Sequence, residues 1–419
     1  MGKSRKRKLN RFLCHIMPLV MLLWGTAAAA GGCLFTEKTE MDISVIEPVQ
    51  MKAASRLDEN WVLTPEAWVK ETLQTMTLEE KVGQMFFVTP GNLVNPTTKA
   101  ANQFTQATDG MLSSIDTYAP GGIILMSGNI ENDAQVTELI KACQERTKLP
   151  LFVGVDEEGG IVSRLGGCAG ISMENVGPMQ DIGMTGDPEQ AYEVGKTLAE
   201  GLQRYGFNLD FAPDADVLTN PQNYEIGNRS FGNDASLVAQ MVGEEVRGLQ
   251  EQGVSAVAKH FPGHGAVSGN THKNLQQVDT TLEEMEAVEF LPFEKAIEED
   301  VDAILISHLA LSEVNPAEPS TLSKEVVTGY LREELGYQGV VITDSFQMGS
   351  ITKNYSQEEA AQKAVLAGCD MILMPQDYNA CYQGILNAVA EGQISEERIE
   401  ESCRRILLAK IKRGILIPE

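Results

Sequence analysis

Short apolar runs alternate along the chain with longer segments of helical period, from about residue 61 to the C-terminus. Each run is bounded by Gly, Pro, Asn or Asp and has the length of a strand that is buried on both faces. The eight runs are residues 86–89, 122–126, 151–156, 208–212, 256–261, 303–308, 340–344 and 371–374. The pattern predicts parallel strands covered by helices.

The segments between these runs place apolar residues at the spacing of amphipathic helices. The predicted helices are 133–147, 188–205, 235–252, 282–299, 323–335 and 357–366, and Ser395 starts a C-terminal helix. Strand followed by helix, eight times over, predicts an α/β fold: a single (β/α)8 TIM-type barrel that fills residues 61–419. An open doubly wound sheet is the alternative, although such sheets usually have fewer strands.

The N-terminal segment has the composition of an export signal. Residues 1–32 are basic as far as Arg11, apolar over 12–24 and small thereafter. The apolar part is short for a membrane span. Because Ala30-Gly31-Gly32-Cys33 resembles the lipobox of bacterial lipoproteins, we expect cleavage before Cys33 and a lipid anchor on it at the outer face of the cell membrane. Simple secretion is the alternative, and residues 33–60 are predicted to be a polar tether.

Charge is distributed unevenly along the chain. Six of its 33 basic residues lie in 1–32, where there is no acid, so the remainder carries a net charge of about −32. Such a chain repels phosphate backbones, and we expect no nucleic acid partner. Beyond Cys14 and Cys33, five cysteines remain, with neither a disulfide-scaffold nor a metal-knuckle spacing. They are predicted to be mostly buried thiols.

Polar residues end five of the predicted strands, where the active site of a barrel is formed. These residues are Asp156, Asp214 with Asp216, Lys259 with His260, His308, and Asp344. Four of the five histidines fall within residues 260–308, so a metal-dependent hydrolase is one interpretation. The sequence has no HxH pair on a strand and no HExxH, and Pro262 and Gly263 prevent a helix from aligning His260 with His264. We therefore predict neither a metal nor another cofactor.

A second interpretation is carbohydrate chemistry, and it rests on longer motifs. The segment Ala258-Lys259-His260-Phe261-Pro262-Gly263-His264-Gly265, followed by Thr271-His272, resembles the signature of glycoside hydrolase family three, in its beta-N-acetylhexosaminidase branch. Further matches are residues 76–85, 156–160 with Arg164, 226–231 and 342–348. The resemblance extends in order over residues 70–415.

This resemblance implies a retaining, exo-acting beta-N-acetylhexosaminidase that removes terminal N-acetylglucosamine-type residues from cell-wall fragments or other glycans. Retention requires a carboxylate nucleophile and a proton donor. By position these are Asp344 and His272, and the substrate-binding residues are Asp156, Arg164, Arg229, Lys259 and His260. We expect His264 to fix its loop, and His308 and Asp214 to support the site without a catalytic role.

The chain departs from the family pattern at Asn270, where an Asp usually forms a dyad with the histidine. Asn270 can orient the ring of His272 but supplies no charge to stabilise imidazolium. A glycan-binding protein with weak catalysis is therefore an alternative. Beta-glucosidase or phosphorylase activity on the same fold is another, although beta-glucosidase branches usually add a second domain with a Glu acid/base, for which the chain beyond the barrel leaves no room.

The Asn270→Asp substitution tests the importance of the missing charge. It should raise both the rate and the apparent pKa of the acid limb, because a carboxylate stabilises the protonated form of His272. The measurement is the pH profile of kcat/KM for the parent and the variant. Identical profiles and rates would show that the dyad does not matter in this protein.

Overall fold

The computed structural model of the protein describes residues 64–97, 103–267 and 274–418. The described chain contains twelve short strands. They are β1 (Phe86–Val88), β2 (Gly122–Ile124), β3 (Phe152–Val155), β4 (Glu157–Gly159), β5 (Val162–Ser163), β6 (Leu209–Asp210), β7 (Ser255–Phe261), β8 (Gln276–Val278), β9 (Ala303–Ile306), β10 (Leu309–Leu311), β11 (Val340–Thr343) and β12 (Ile372–Leu373). The predicted signal 1–32 and tether 33–60 lie outside the described residues.

Fourteen α-helices occur in the same part of the chain. They are α1 (Pro65–Thr75), α2 (Leu78–Gln84), α3 (Pro90–Val94), α4 (Asp109–Tyr118), α5 (Asp133–Gln144), α6 (Met179–Gly183), α7 (Pro188–Gln203), α8 (Ala235–Glu251), α9 (Leu282–Ala287), α10 (Leu291–Glu298), α11 (Gly349–Thr352), α12 (Gln357–Ala367), α13 (Tyr378–Ala390) and α14 (Glu396–Lys412). Among the residues described, none of these helices has the length and apolar character needed to cross a membrane.

Eight strands form one parallel sheet in the order β11-β9-β7-β6-β3-β2-β1-β12. The two ends of this order meet, because Ile342 of β11 forms a parallel bridge with Met371, which directly precedes β12. The sheet is therefore closed, and the predicted (β/α)8 barrel is confirmed. Each of the eight predicted apolar runs overlaps one barrel strand. The hairpin β4–β5 and the pair β8–β10 lie outside the barrel sheet.

Aromatic rings fill the barrel interior. The ring of Phe87 in β1 lies 5.3 Å from that of Phe211, which follows β6. Because β2 and β3 separate these strands in the sheet, the contact passes through the barrel. A Cβ at Gly154 would approach within 2.8 Å of the Phe211 ring and 3.0 Å of the Phe87 ring. Glycine at this position of β3 makes room for the two rings, in line with the close packing of protein interiors.

Two of the predicted helices differ from the structure. The segment 282–299 forms two helices, α9 and α10, because Pro292 lies in the first turn of α10, a position that proline favours at a helix start. The segment 323–335 contains a π-helix over Glu325–Glu334. By contrast, Ser395 caps α14 as predicted, since its hydroxyl accepts a hydrogen bond from the backbone N–H of Arg398 at 3.2 Å.

Five cysteines lie in the described residues, and all are free thiols. Cys143, Cys369, Cys381 and Cys403 are buried, and Cys168 is partly exposed. Burial raises the pKa of the Cys143 and Cys369 thiols to about 12. The prediction of mostly buried thiols is therefore confirmed, since four of the five are buried.

The seam that closes the barrel is held by Asp370, which is fully buried. Its carboxylate accepts hydrogen bonds from the backbone N–H of Val341 at 3.0 Å, from Ser402 at 2.7 Å, from Arg332 at 2.5 Å and from Arg405 at 3.0 Å. Burial alone would raise the pKa of Asp370, but the surrounding arginines outweigh it and hold the pKa below its usual value. One carboxylate therefore ties β11, the π-helix and α14 together.

The Asp370→Asn substitution should lower the free energy of unfolding by about 3–5 kcal/mol, because it leaves the two arginines without their buried anion. Denaturant unfolding followed by circular dichroism measures this loss. The control is Glu145→Gln, which removes an exposed pair with Lys141 at 3.9 Å and should cost less than about 0.5 kcal/mol. Equal effects of the two substitutions would contradict the role of Asp370.

Candidate active site

A cavity of about 460 Å³ opens at the carboxyl ends of the barrel strands, the end at which barrel enzymes form their sites. All the predicted site residues that the structure describes line it: Asp156, Arg164, Arg229, Lys259, His260 and Asp344. His264 and Glu225 also reach this cavity. Residues that are almost 190 positions apart in sequence are therefore brought to one place by the barrel.

The predicted acid/base His272 and its neighbour Asn270 lie outside the described residues. The chain that leads toward them is fixed by Asn223, whose side-chain amide donates to the backbone carbonyl of His264 at 2.7 Å. Beyond them, Asn274 accepts a hydrogen bond from Lys353 at 3.0 Å. Lys353 follows α11, in the same strand-to-helix connection that begins with Asp344.

A bulge in β7 places two consecutive side chains in the cavity. Ala258 pairs with Ile304 of β9, but Phe261 pairs with Ile306, so three steps along β7 match two along β9. In a regular strand, consecutive side chains point to opposite faces. The extra residue changes this alternation, as bulges do. Lys259 and His260 both line the cavity as a result.

Asp156 follows β3 and is paired with two cations. Its carboxylate lies 2.8 Å from the Lys259 ammonium and 3.3 Å from the Arg164 guanidinium. Burial would raise the pKa of Asp156, but Lys259 and Arg164 outweigh burial and lower it well below its usual value. Asp156 is therefore ionised, and a charged carboxylate accepts strong hydrogen bonds from sugar hydroxyls.

Glu158 is the functional residue that the sequence interpretation left without a role. Its carboxylate is 1% exposed and receives two hydrogen bonds from Arg229, at 2.7 and 2.8 Å. The Lys259 ammonium lies 2.6 Å away on the other side. Arg229 and Lys259 outweigh burial and lower the pKa of Glu158. The available signal was its place two residues after Asp156 in a family motif, but its contacts join three segments that are distant in sequence.

His260 is held by a carboxylate from the neighbouring strand connection. Its Nδ1 lies 2.7 Å from Asp216 Oδ2, and Arg229 lies 3.4 Å from its Nε2. Burial, followed by the charge of Arg229, lowers the pKa of His260 to about 4. The ring is therefore neutral near pH 7, with Nδ1–H donating to Asp216 and Nε2 facing Arg229.

Asp344 directly follows β11 and is fixed through its backbone. Its N–H donates to the carbonyl of Ile306 at 2.8 Å, and its Oδ1 accepts from the N–H of Ser345 at 2.7 Å. His308 Nε2 contacts the Ser345 carbonyl at 3.0 Å, so this histidine lies behind the Asp344 loop. Asp214 lies 3.3 Å from Arg229. Both residues contact groups that line the cavity, and their supporting role stays a prediction.

One group of described residues has the spacing of metal ligands. Ligand atoms of Asp214, Asp216 and His260 lie within 4.8 Å of one another. Each residue already has protein partners: Asp216 binds His260 and the His264 N–H, while Asp214 binds the Asp216 N–H and Arg229. The guanidinium of Arg229 also repels a cation at this position. The group fits a hydrogen-bonded support for His260 better than a metal site.

A second cavity, of about 370 Å³, lies at the other end of the barrel near the starts of β1, β2 and β3. The charged residues in its lining neutralise each other, since Arg146 pairs with Asp116 and Lys148 with Glu80. The cavity at the carboxyl ends contains the buried charges, and we identify that cavity as the candidate site.

The fold and the site together define the class as the barrel glycoside hydrolases, in which carboxylates at the strand ends act on a bound sugar. The sequence model described as "Glycosyl hydrolase family 3 N terminal domain" matches residues 77–409. The chain belongs to glycosyl hydrolase family 3. The family resemblance that the sequence motifs indicated is thereby confirmed.

Relatives of this chain within the family are named beta-hexosaminidases. A beta-hexosaminidase of Stenotrophomonas maltophilia (strain R551-3) is 34% identical over 262 residues, which cover 61% of this chain and 76% of the relative. Beta-hexosaminidase A of Pseudoalteromonas piscicida is 30% identical over 328 residues and 71% of this chain. The match covers 54% of that relative, so the chain spans about half of its length.

A solved structure of the same family is also similar to this chain. The glycoside hydrolase family 3 beta-N-acetylglucosaminidase from Paenibacillus sp. str. FPU-7 is 38% identical to this chain, with a TM-score of 0.75. The superposition covers 81% of this chain and 63% of that one.

Glu289 is a buried carboxyl beside the site, and its pKa is shifted. It is 3% exposed and packs behind the Pro262-Gly263-His264 turn, where a Cβ on Gly263 would lie 2.5 Å from Glu289 Cγ. Gly263 also has a φ of +126°, which favours glycine. Burial raises the pKa of Glu289 to about 7. This carboxyl therefore binds a proton more tightly in the folded chain than in the unfolded chain.

Replacement of Glu289 by Gln should change how stability depends on pH. With a pKa raised from 4.5 to about 7, Glu289 contributes fully to stability below pH 4.5, and the contribution is lost as pH rises to 7. Gln does not titrate, so the variant should gain on the parent by roughly 2 kcal/mol between pH 4.5 and 7, allowing for solvent screening.

Urea unfolding of the parent and Glu289→Gln at several pH values measures this difference. Glu145→Gln, at an exposed site, serves as the control and should follow the parent at every pH. A difference between Glu289→Gln and the parent that is the same at all pH values would contradict the raised pKa.

Proposed function

We propose that this protein is a retaining, exo-acting beta-N-acetylhexosaminidase that removes terminal N-acetylglucosamine-type residues from glycans. One observation carries the proposal: Asp344, at the end of β11, opens into the same cavity as Asp156, Arg164 and the Lys259–His260 pair. The beta-hexosaminidase names of the relatives support the choice of substrate class.

In the first step, an Asp344 carboxylate oxygen forms a bond with the anomeric carbon, and the bond from that carbon to the leaving oxygen breaks. The leaving oxygen takes a proton from the imidazolium of His272. In the second step, neutral His272 takes a proton from water, whose oxygen bonds to the anomeric carbon and displaces Asp344. The backbone hydrogen bonds of Asp344 hold the carboxylate at the strand end, so little motion is needed during attack.

The remaining polar residues bind and orient the sugar. Asp156 is ionised and accepts hydrogen bonds from sugar hydroxyls. Arg164, Arg229 and Lys259 donate hydrogen bonds to sugar hydroxyls or to the N-acetyl carbonyl. His260, neutral and oriented by Asp216, presents an uncharged ring to the substrate. Asn270 orients His272 through its side-chain carbonyl.

The place of action follows from the N-terminal sequence. We infer export through the signal in residues 1–32 and attachment to the outer face of the cell membrane through a lipid on Cys33. Peptidoglycan fragments that contain N-acetylglucosamine are substrates available at that place. The acidic composition of the chain disfavours polyanionic partners.

The decisive experiment is release of the chromophore from an aryl beta-N-acetylglucosaminide. The parent should be active, and Asp344→Asn should lose at least ~10³-fold in kcat, because an amide cannot form the glycosyl ester. A fluorinated mechanism-based glycoside should add its sugar mass to the peptide that contains Asp344. The control is Asp109→Asn, at an exposed position in the first turn of α4, which should retain the parent rate.

Other outcomes identify the alternatives. Activity that disappears with EDTA would indicate a metal-dependent hydrolase. Release from an aryl glucoside alone, with or without phosphate, would assign the site to a beta-glucosidase or phosphorylase. Binding of glycans without release from any aryl glycoside would assign a binding protein, and a label on a residue other than Asp344 would reject the proposed nucleophile.

A further inference from the structure

Met374 directly follows β12 and has a backbone conformation that side chains rarely adopt. Its φ is +47°, in the left-handed region, where the Cβ of an L-residue crowds the backbone. The next residue, Pro375, favours extended backbone at the position before it, which makes this conformation less favourable still. Met374 is 7% exposed and lines the candidate site. The strained residue is therefore part of the cavity wall.

Three hydrogen bonds to different elements fix this turn. The Met374 N–H donates to the carbonyl of Phe87 in β1 at 2.8 Å. The side chain of Asn92 in α3 donates to the Pro375 carbonyl at 2.8 Å. The Gln376 N–H donates to a glutamine side chain on α12 at 2.7 Å. An unfavourable backbone conformation persists only where the surrounding structure enforces it, so the left-handed turn is built into the fold.

Two other residues besides glycines have a positive φ in the part of the chain that the structure describes. Ala119, with a φ of 46°, ends α4, and Asp300, with a φ of 55°, lies two residues after the end of α10. Helices commonly end with a residue in the left-handed conformation, so both have an ordinary cause. Neither of them lines the candidate site. Met374 follows a strand instead, and strained residues cluster at ligand sites.

The cavity has two walls of different chemistry. The charged wall comes from the connections after β3 and β6 and from β7. The apolar wall comes from β2 and β12 and the residues that follow them, and its members are Ile124, Met126, Leu373 and Met374. In the closed sheet β12 is four strands from β6 in both directions, so Met374 faces the charged wall across the cavity. A sugar ring carries both hydroxyl groups and C–H groups, and it matches one wall with each.

Backbone hydrogen bonds place Met374 beside the proposed nucleophile. The Phe346 N–H donates to the Leu373 carbonyl at 3.0 Å, and the Leu373 N–H donates to the Thr343 hydroxyl at 3.1 Å. The chain on both sides of Asp344 therefore contacts the residue that precedes Met374. A sugar whose anomeric carbon lies at Asp344 is within reach of the Met374 side chain.

We propose that Met374 is a substrate-positioning residue: its side chain packs against C–H groups of the bound sugar and holds the ring between the charged wall and Asp344. The left-handed turn directs this side chain into the cavity. Methionine suits the contact because its side chain is flexible and polarizable. The inference rests on the proposed function and extends it, since it adds an apolar contact to a set of sugar-binding residues that are all polar.

Oxidation of methionine by hydrogen peroxide tests the contact directly. Met374 reaches the cavity, so the free protein should slowly form its sulfoxide, and saturating N-acetylglucosamine should slow this oxidation at least ~5-fold. Met184, which is 73% exposed and does not line the cavity, is the matched control and should oxidise at the same rate with and without the sugar. Mass spectrometry of the peptides measures both rates. An unchanged rate at Met374, or no oxidation of it in the free protein, would overturn the inference.

Three variants separate the contact from the backbone strain. Met374→Ala and Met374→Gly should each lose about 5- to 20-fold in kcat/KM on the aryl beta-N-acetylglucosaminide, mainly through KM, because both lack the apolar side chain. Met374→Gly should nevertheless unfold at a higher temperature than Met374→Ala, since glycine adopts a positive φ without a steric cost. Met374→Leu keeps an apolar side chain of similar volume and should stay within about 3-fold of the parent.

Ala119→Gly is the matched control for the backbone, because it also replaces a left-handed residue by glycine but lies outside the candidate site. It should unfold no earlier than the parent and keep the parent kcat/KM. A return of kcat/KM to the parent value in Met374→Gly, or an equal loss in Met374→Leu and Met374→Ala, would contradict the contact. If the parent releases no chromophore, the proposed activity fails, whereas the oxidation experiment still decides the role of Met374 because it requires binding and not turnover.

Discussion

The buried carboxylate of Glu158 is the interaction on which the arrangement of the site depends. It binds Arg229 through two hydrogen bonds and Lys259 through a short ion pair. Neither cation is stable in a buried position without an anion, and the anion is not stable without them. These three residues come from the β4–β5 hairpin, from the loop after β6, and from strand β7. Their mutual neutralisation therefore fixes the hairpin and the loop relative to the barrel. Lys259 also pairs with Asp156, so this network of ion pairs extends to a residue that is proposed to bind the sugar.

Backbone geometry adds a second constraint. The bulge in β7 brings both Lys259 and His260 into the cavity, and the closure of the sheet brings Asp344 to the same rim. Asp370 holds that closure from the opposite end of β11, where it binds the N–H of Val341. The side chains at the strand ends are therefore held by a closed barrel sheet. Regular strands position functional groups more accurately than flexible loops do. Burial and the charge of Arg229 keep His260 neutral inside the barrel. The ring therefore acts through hydrogen bonds and not through a charge.

Much of the site was predictable from local patterns. Asp156, Lys259, His260 and Asp344 each end an apolar run, and the strands of a barrel end on one face, so their convergence followed from the fold class. Glu158 was not predictable in the same way. The importance of Glu158 lies in contacts across 71 and 101 residues of sequence. The pattern also missed the division of 282–299 at Pro292, although proline in a first turn is a local signal.

The sequence by itself determined the class of fold, the family and the identity of the strand-end residues, because apolar periodicity and short motifs are properties of neighbouring positions. Tertiary structure decided which charges pair and how far the pKa of each buried group is shifted. These properties depend on burial and on distances between residues far apart in the chain, and burial is what changes the strength of every charge and hydrogen bond involved. The change in the pKa of His260 to about 4 illustrates this, since it arises from desolvation and from Arg229, 31 residues away in sequence.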